Sequence, residues 1–194
     1  IRIHHGKPFL WEWHMTRLIA GAETIKLKIP LTPLEILEKT KELIYLNGSK
    51  NCIARLTVTR GSSERGYDFT GDEISTSLIC LYEMPATGKK SVSLSITNTR
   101  VAASDILTKI KSNNKLSSIM AKRFAKERNT DDGLMINSEG NITETSSANI
   151  FCIKDGGVRT PPINDGVLPG VTRRLTLGLA SSLGLAVKEE SITP

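Results

Sequence analysis

The period of the apolar pattern switches along this chain from 3.6 to 2 and back, then again. A sequence written that way suits neither an all-helical bundle nor a continuous β-sandwich. After two short strands, IRIHH and GKPFL around a Gly6-Lys7 turn, Trp11, Met15, Leu18 and Ile19 fall on one face of a helical stretch. Thr32-Pro33-Leu34-Glu35 is a capping box with proline at the first helical position. It predicts a helix that runs to Leu46 and stops at Asn47-Gly48. CIARLTVTR from Cys52 to Arg60 is alternating and β-branched. The polar loop GSSERGYDFTGDE follows, then strands in ISTSLICLYEM and SVSLSITNTR, which makes the first half helix plus mainly antiparallel strand. Thr97 to Lys109 reads as a connection.

Beyond it, Leu116, Ile119, Met120 and Phe124 form the apolar stripe of a helix from about Asn114 to Arg128, with a basic opposite face. Strands GLMIN, ANIFCI and VRTPP are separated by the turns SEGN and KDGG. A helix from about Gly170 to Leu183 ends at Gly184, and LAVKEESI is a last strand. With no repeat or low-complexity tract, the expected architecture is α+β in two lobes: 1–99, a linker at 100–110, and 111–194.

At 194 residues, with 39% hydrophobic and 24% charged residues, the chain can bury a sizeable core, and a disordered tail is excluded. No stretch reaches the roughly 18 to 20 apolar residues of a membrane-spanning helix. The opening IRIHHGKPFLWEW lacks a signal-peptide layout, so a cytoplasmic protein off the membrane is expected. Cys52, Cys80 and Cys152 are odd in number and widely spaced, which indicates neither a disulfide framework nor a zinc site, and they read as small core residues. His4, His5 and His14 lack the spacing of metal ligands or of a triad, so no metal is expected. The net charge of +6 suits anionic small molecules and nucleic acid equally well.

Several residues could carry chemistry, each with a plainer reading beside it. Lys111 stands ahead of the helix at Asn114, between Lys109 and Lys115. Like charges and the positive end of the helix dipole favour a neutral amine there, yet a lysine in KIKSNNK is also an ordinary solvated charge. Glu144 in NITETSSANIF precedes the small hydroxyl residues Thr145, Ser146 and Ser147, which suit close approach to a ligand or an exposed turn. LPGVTR opens a helix whose free N–H groups and Thr172 hydroxyl would face an anion, and it is equally a normal helix start. Arg60, Arg65 and Tyr67 on a glycine-containing loop could clamp a carboxylate or be merely solvated, and Arg17 falls opposite the apolar stripe of its helix.

In order, HMTRL, VTRGSSERGY, IKSNNKL, GNITETSSANIF and LPGVTR resemble the fold-type IV pyridoxal-phosphate enzymes: branched-chain and D-amino-acid aminotransferases and 4-amino-4-deoxychorismate lyases. The resemblance implies an N-terminal α/β lobe and a C-terminal β-pseudobarrel lobe with helices, a homodimer, and pyridoxal 5'-phosphate as cofactor. It further implies that Lys111 forms the internal aldimine and moves the substrate proton, and that Glu144 keeps the pyridine nitrogen protonated. Arg17, Val171 and Thr172 would grip the phosphate, with hydroxyls from Ser146 and Ser147. Arg65 matches a substrate-carboxylate arginine, while Tyr67 stands where the D-amino-acid enzymes carry histidine.

The leading implied activity is transfer of an amino group between an amino acid and a 2-keto acid. The alternative is the lyase, because RGSSERGY resembles RGxGGRGY; that enzyme releases pyruvate and 4-aminobenzoate. By the same resemblance, family chains begin earlier and continue further than this sequence, which therefore reads as truncated at both ends. A catalytically degenerate homologue is a third reading. A basic nucleic-acid module built on Lys109, Lys111, Lys115, Lys122, Arg123, Lys126 and Arg128 is the non-enzyme alternative; it lacks aromatic residues to stack bases, so no nucleic-acid partner is expected.

Overall fold

A computed structural model describes residues 1–86 and 91–194. The chain divides into two compact units, Ile1–Gly88 and Lys89–Pro194. In the first, β1 (Arg2–His4), β2 (Lys7–Pro8), β3 (Cys52–Thr59) and β4 (Thr76–Glu83) form an antiparallel sheet in the order β2-β1-β3-β4. The first turn sits at His5-Gly6, both at positive φ, and not at Gly6-Lys7. Two helices cover the apolar alternation of β3 and β4: α1 (Trp11–Thr24) and α2 (Pro33–Leu46). Trp11, Met15 and Ile36 pack with Leu56 and Ile79, while Ile44 packs with Ile3, Cys52 and Ala54.

The capping box at α2 forms as the sequence dictates. The Thr32 hydroxyl accepts from the Glu35 amide at 3.3 Å, and the Glu35 carboxylate accepts from the Thr32 amide at 2.7 Å. The hydrogen bonds from the Thr32 amide and hydroxyl, with the charge of Lys39, hold the Glu35 carboxyl below the usual glutamate range.

The second unit begins earlier than the sequence pattern suggests. Strand β5 (Leu94–Val101) pairs in parallel with β6 (Asp132–Asn137), which in turn pairs antiparallel with β7 (Ile142–Thr145). SVSLSITNTR therefore belongs to the C-terminal unit and is not an antiparallel member of the first sheet; the boundary falls at 88/89 in place of about 100. The expected linker at 100–110 is packed structure. It holds the 3-10 turn Ile106–Lys109, capped by the Asp105 carboxylate accepting from the Leu107 amide, and the Ser104 amide donates to the Asn164 carbonyl at 2.8 Å.

A second three-stranded sheet joins β8 (Cys152–Lys154), β9 (Gly157–Thr160) and β10 (Val187–Glu189) in the order β10-β9-β8. ANIFCI is thus strand only in its last part. Isolated bridges Ile142–Ile192 and Glu144–Asn149 tie down β7.

The apolar stripe read in the sequence is not the face that α3 (Leu116–Glu127) buries. Leu116, Ile119 and Met120 are exposed, and the buried face is Ala121 and Ala125, set against β5 and β6. The reason is proximity. A Cβ on Gly133 of β6 would come within 2.3 Å of the Ala121 carbonyl oxygen and 2.7 Å of Thr97 Cγ2, so helix and sheet lie too close for long side chains between them. The last helix, α4 (Val171–Ser182), starts at Gly170 and ends before Gly184, which has positive φ.

Of the cysteines, Cys52 is buried and Cys80 and Cys152 are half-buried, all as free thiols; burial pushes the Cys52 thiol up. No group of ligands able to hold a metal occurs among the described residues, and none of their helices is long and apolar enough to cross a membrane. Gly133→Ala is expected to destabilise the chain by about 1–3 kcal/mol, since α3 must move off the sheet. Thr32→Ala should cost about 1 kcal/mol. Denaturant midpoints read both, and an unchanged Gly133→Ala midpoint would contradict the close approach.

Candidate functional site

Glu144 is the focus of the C-terminal unit. It sits on β7, and its partner across the bridge, Asn149, lies beyond a tight turn over Thr145–Ala148. Thr145 closes that turn by itself: its amide donates to the Ala148 carbonyl at 2.9 Å, and its hydroxyl accepts from the Ala148 amide at 3.1 Å. Bridge partners carry their side chains on one face. Accordingly, Asn149 Nδ2 donates to Glu144 Oε2 at 3.0 Å, and the Leu168 amide donates to the same oxygen at 3.2 Å. Burial raises the Glu144 carboxyl above the usual glutamate value. The Leu168 hydrogen bond and the charges of Lys115 and Lys111 pull it back only in part.

Lys111 and Lys115 therefore lie within electrostatic reach of Glu144, although Lys111 is exposed and Lys115 half-buried. Lys111 follows directly on the buried Ile110, whose amide donates to the Leu107 carbonyl and closes the 3-10 turn. Lys109 is otherwise engaged, donating to Asn164 Oδ1 at 3.2 Å. Lys115 stands at the N-cap position of α3.

Of the two serines in TETSSAN, Ser147 is exposed in the turn. The Ser146 hydroxyl meets the carboxylate of Asp132. Burial pushes Asp132 up, but hydrogen bonds from Ser146, the Gly133 amide and Thr145, with the charge of Lys122, hold it below the usual aspartate range.

Leu168-Pro169-Gly170 delivers the chain to α4, whose N-terminus has no side-chain cap. The amides of Val171 and Thr172 belong to that first turn, with Val171 buried and Thr172 exposed. Arg173 anchors the turn from inside: its Nη2 donates to the Pro161 carbonyl at 2.9 Å and to the Glu189 carboxylate of β10. A Cβ on Gly170 would lie 2.0 Å from Asn149 Oδ1, so only glycine lets the amide and the helix start approach each other.

Arg17, Arg65 and Tyr67 belong to the N-terminal unit. Arg17 is half-buried on α1, and burial lowers its guanidinium pKa. Arg65 is exposed and Tyr67 fully exposed on the loop. Arg60 is committed elsewhere: it donates to the Ile25 and Lys26 carbonyls at the end of α1 and lies 4.2 Å over the Phe69 ring, so it is a loop anchor and not a ligand clamp. An apolar cavity of about 230 Å³ in this unit is lined by Met15, Leu18, Ala22, Leu31 and Ile36, and it contains none of these polar residues.

The basic face of α3 is likewise occupied. Lys122 donates to the Asp131 carbonyl, Arg123 pairs with Glu127 at 2.8 Å, and Arg128 stacks on Phe124.

The sequence reading missed Asn149 and the Leu168 amide. A hairpin reading of TETSSAN, in place of a turn followed by a strand, would have set Asn149 opposite Glu144.

One unit thus brings together a poorly solvated carboxylate, the charges of two lysines and an uncapped helix start. Over residues 1–194 the chain matches the family model for amino-transferase class IV. It is 31% identical over 195 residues to a protein of Methanocaldococcus jannaschii designated a branched-chain-amino-acid aminotransferase, covering 100% of this chain and 68% of that protein. It is 30% identical over 200 residues to a D-alanine aminotransferase of Staphylococcus aureus, again covering 100% and 68%. Among solved structures, one from Legionella pneumophila designated a 4-amino-4-deoxychorismate lyase superposes with a TM-score of 0.92 at 27% identity, over 100% of this chain and 71% of that one.

The chain belongs to the class IV aminotransferase family, enzymes that depend on pyridoxal phosphate and share the fold-type IV architecture. It spans about two thirds of the length of these curated relatives.

Because Glu144 holds its proton more tightly when folded, its contribution to stability is present in acid and is lost as the pH rises through the folded value. In the cofactor-free chain, Glu144→Gln is expected to be more stable than the parent at neutral pH and to lose that advantage below the pH at which an unfolded glutamate titrates. Denaturation curves at several pH values measure this; a variant less stable at neutral pH would contradict the raised value.

Proposed function

We propose that this chain carries the cofactor-holding residues of an aminotransferase that moves an amino group between an amino acid and a 2-keto acid, with Lys111 as the catalytic amine. One observation carries the reading: a single unit brings the charges of Lys111 and Lys115 to bear on the half-buried Glu144 carboxylate. Two others support the fit of pyridoxal phosphate. The first turn of α4 offers uncapped N–H groups to a phosphate, and Gly170 carries no side chain beside that turn. Bound there, the cofactor would supply an electron sink for the carbanion left when the substrate Cα–H bond breaks.

The chain's own residues have separable tasks. The Glu144 carboxylate would accept a hydrogen bond from the pyridine nitrogen and stabilise the proton on it. The desolvation that raises Glu144 when it is alone strengthens its attraction for a cationic ring, as it does for any charge pair in a poorly solvated site. The amides of Val171 and Thr172, with the Thr172 hydroxyl, would hold the phosphate, and the family resemblance of HMTRL implies the same task for Arg17. Ser146 and Ser147 stand as further hydroxyls, Ser146 by way of its shared bond with Asp132. Lys111 Nζ would take the proton from the substrate Cα and, in amino transfer, deliver it to the carbon that bears the cofactor's aldehyde. Arg65 and Tyr67 address the substrate carboxylate. A homodimer and a cytoplasmic location complete the reading.

A lyase acting on 4-amino-4-deoxychorismate is the second reading, favoured by the RGSSERGY loop and by the Legionella structure. Both reactions begin with the same proton loss and diverge in which bond breaks next. A transaminase needs a keto acid and shows ping-pong kinetics; a lyase releases pyruvate from aminodeoxychorismate with no amino acceptor. Keto-acid-dependent turnover is the expected result. Lys111→Ala should lower it by about 10²–10⁴-fold or more, since the general acid-base group is lost. Full activity in Lys111→Ala would overturn the assignment.

A further inference from the structure

Resting on the reading just given, we propose that Asn149 is a positioning residue for the reaction: its side-chain amide ties the Glu144 carboxylate to the Leu168–Gly170 segment, so that the acid and the start of α4 keep one spacing. Both N–H bonds of that amide are committed. Nδ2 donates to Glu144 Oε2 at 3.0 Å and to the Leu168 carbonyl at 3.0 Å. The Leu168 amide closes the ring by donating to the same Oε2 at 3.2 Å. Three groups thus form a closed ring of hydrogen bonds, in which displacing one strains its bonds to the other two.

The far side of the amide is equally confined. Asn149 Oδ1 occupies the space that a Cβ on Gly170 would need, coming 2.0 Å from its position. The backbone fixes the near side, because Asn149 is the bridge partner of Glu144 across the Thr145 turn. At the α4 end, Arg173 in the first turn donates to the Pro161 carbonyl and the Glu189 carboxylate.

The residue type follows from this geometry. Aspartate has the same shape but cannot donate and would set a like charge against Glu144. Leucine has similar bulk and no donor. Glutamine is one methylene too long for the gap beside Gly170. A tie of this kind matters because one ligand must meet a carboxylate at its ring and N–H groups at its phosphate, and a misplacement of about 1 Å can cost about 10²-fold in rate.

The test follows the Glu144 side-chain carboxyl by NMR in the cofactor-free chain, assigned with Glu144→Gln, with Lys111 and Lys115 left in place as the other charges that face it. Asn149→Leu is expected to move the Glu144 titration to higher pH than in the parent, because a donor to the ionised form is gone, and Asn149→Asp to move it further. Pyridoxal-phosphate affinity should fall about tenfold or more in Asn149→Leu. Gly170→Ala, which leaves Asn149 chemically intact but displaces its amide, should shift the titration in the same direction.

A lowered melting temperature with an unmoved Glu144 titration in all three variants would make Asn149 a packing residue only and overturn the proposal. A parent chain that binds no pyridoxal phosphate would overturn the functional reading, and with it the role in the reaction. The two failures are distinguishable because the titration needs no cofactor.

Discussion

Withdrawing a carboxylate from water is the costly step in this structure, and the C-terminal unit is arranged around it. Glu144 is only half-buried, yet burial raises its carboxyl above the usual glutamate value despite a backbone N–H, a side-chain amide and two lysines nearby. A group left that way is poorly served by the chain alone and well served by a cation brought to it. That imbalance is what supports the proposed pairing of Glu144 with a protonated ring nitrogen. It separates Glu144 from the exposed Glu35, whose carboxyl is fully served by a helix cap and is held low.

The remaining architecture fixes what surrounds the carboxylate. The approach of α3 to the sheet, possible only because Ala121, Ala125 and Gly133 are small, places Lys115 at a helix start beside the site. The 3-10 turn before Lys111 is pinned through Ser104 and Lys109 to Asn164. The buried Asn137 donates to the Asp165 carbonyl and accepts from the amides of Glu139 and Asn141, which secures the turn into β7. Backbone ties of this sort, made by side chains far from any reacting atom, set the position of Glu144.

Local rules made part of this legible in the sequence. The α2 capping box, the α1 core face at Trp11 and Met15, and the strand from Cys52 depend on neighbours in sequence and formed as their patterns require. Partnership between distant segments was not legible. The alternation in SVSLSITNTR says strand but not which sheet, and β5 went to the second unit as a parallel partner of β6. Leu116, Ile119 and Met120 share a helical face, yet periodicity cannot tell a core face from an exposed one when the sheet approaches closely enough to admit only alanine. At the site, the motif resemblance singled out Lys111, Glu144, Val171 and Thr172, while the hydrogen-bond partner of Glu144 came only from three-dimensional pairing. Arg60, which looked as available as Arg65, turned out to be spent on the carbonyls that end α1.

The central claim is that one amine, Lys111, is the group that meets the cofactor aldehyde. Incubating the chain with pyridoxal phosphate, reducing with borohydride and mapping the labelled peptide tests it directly. The account predicts a single pyridoxyl group on Lys111, with the visible absorbance lost on reduction. Label on Lys115 or Lys109 in its place, or equal labelling of surface lysines with no distinct absorbance, would contradict it.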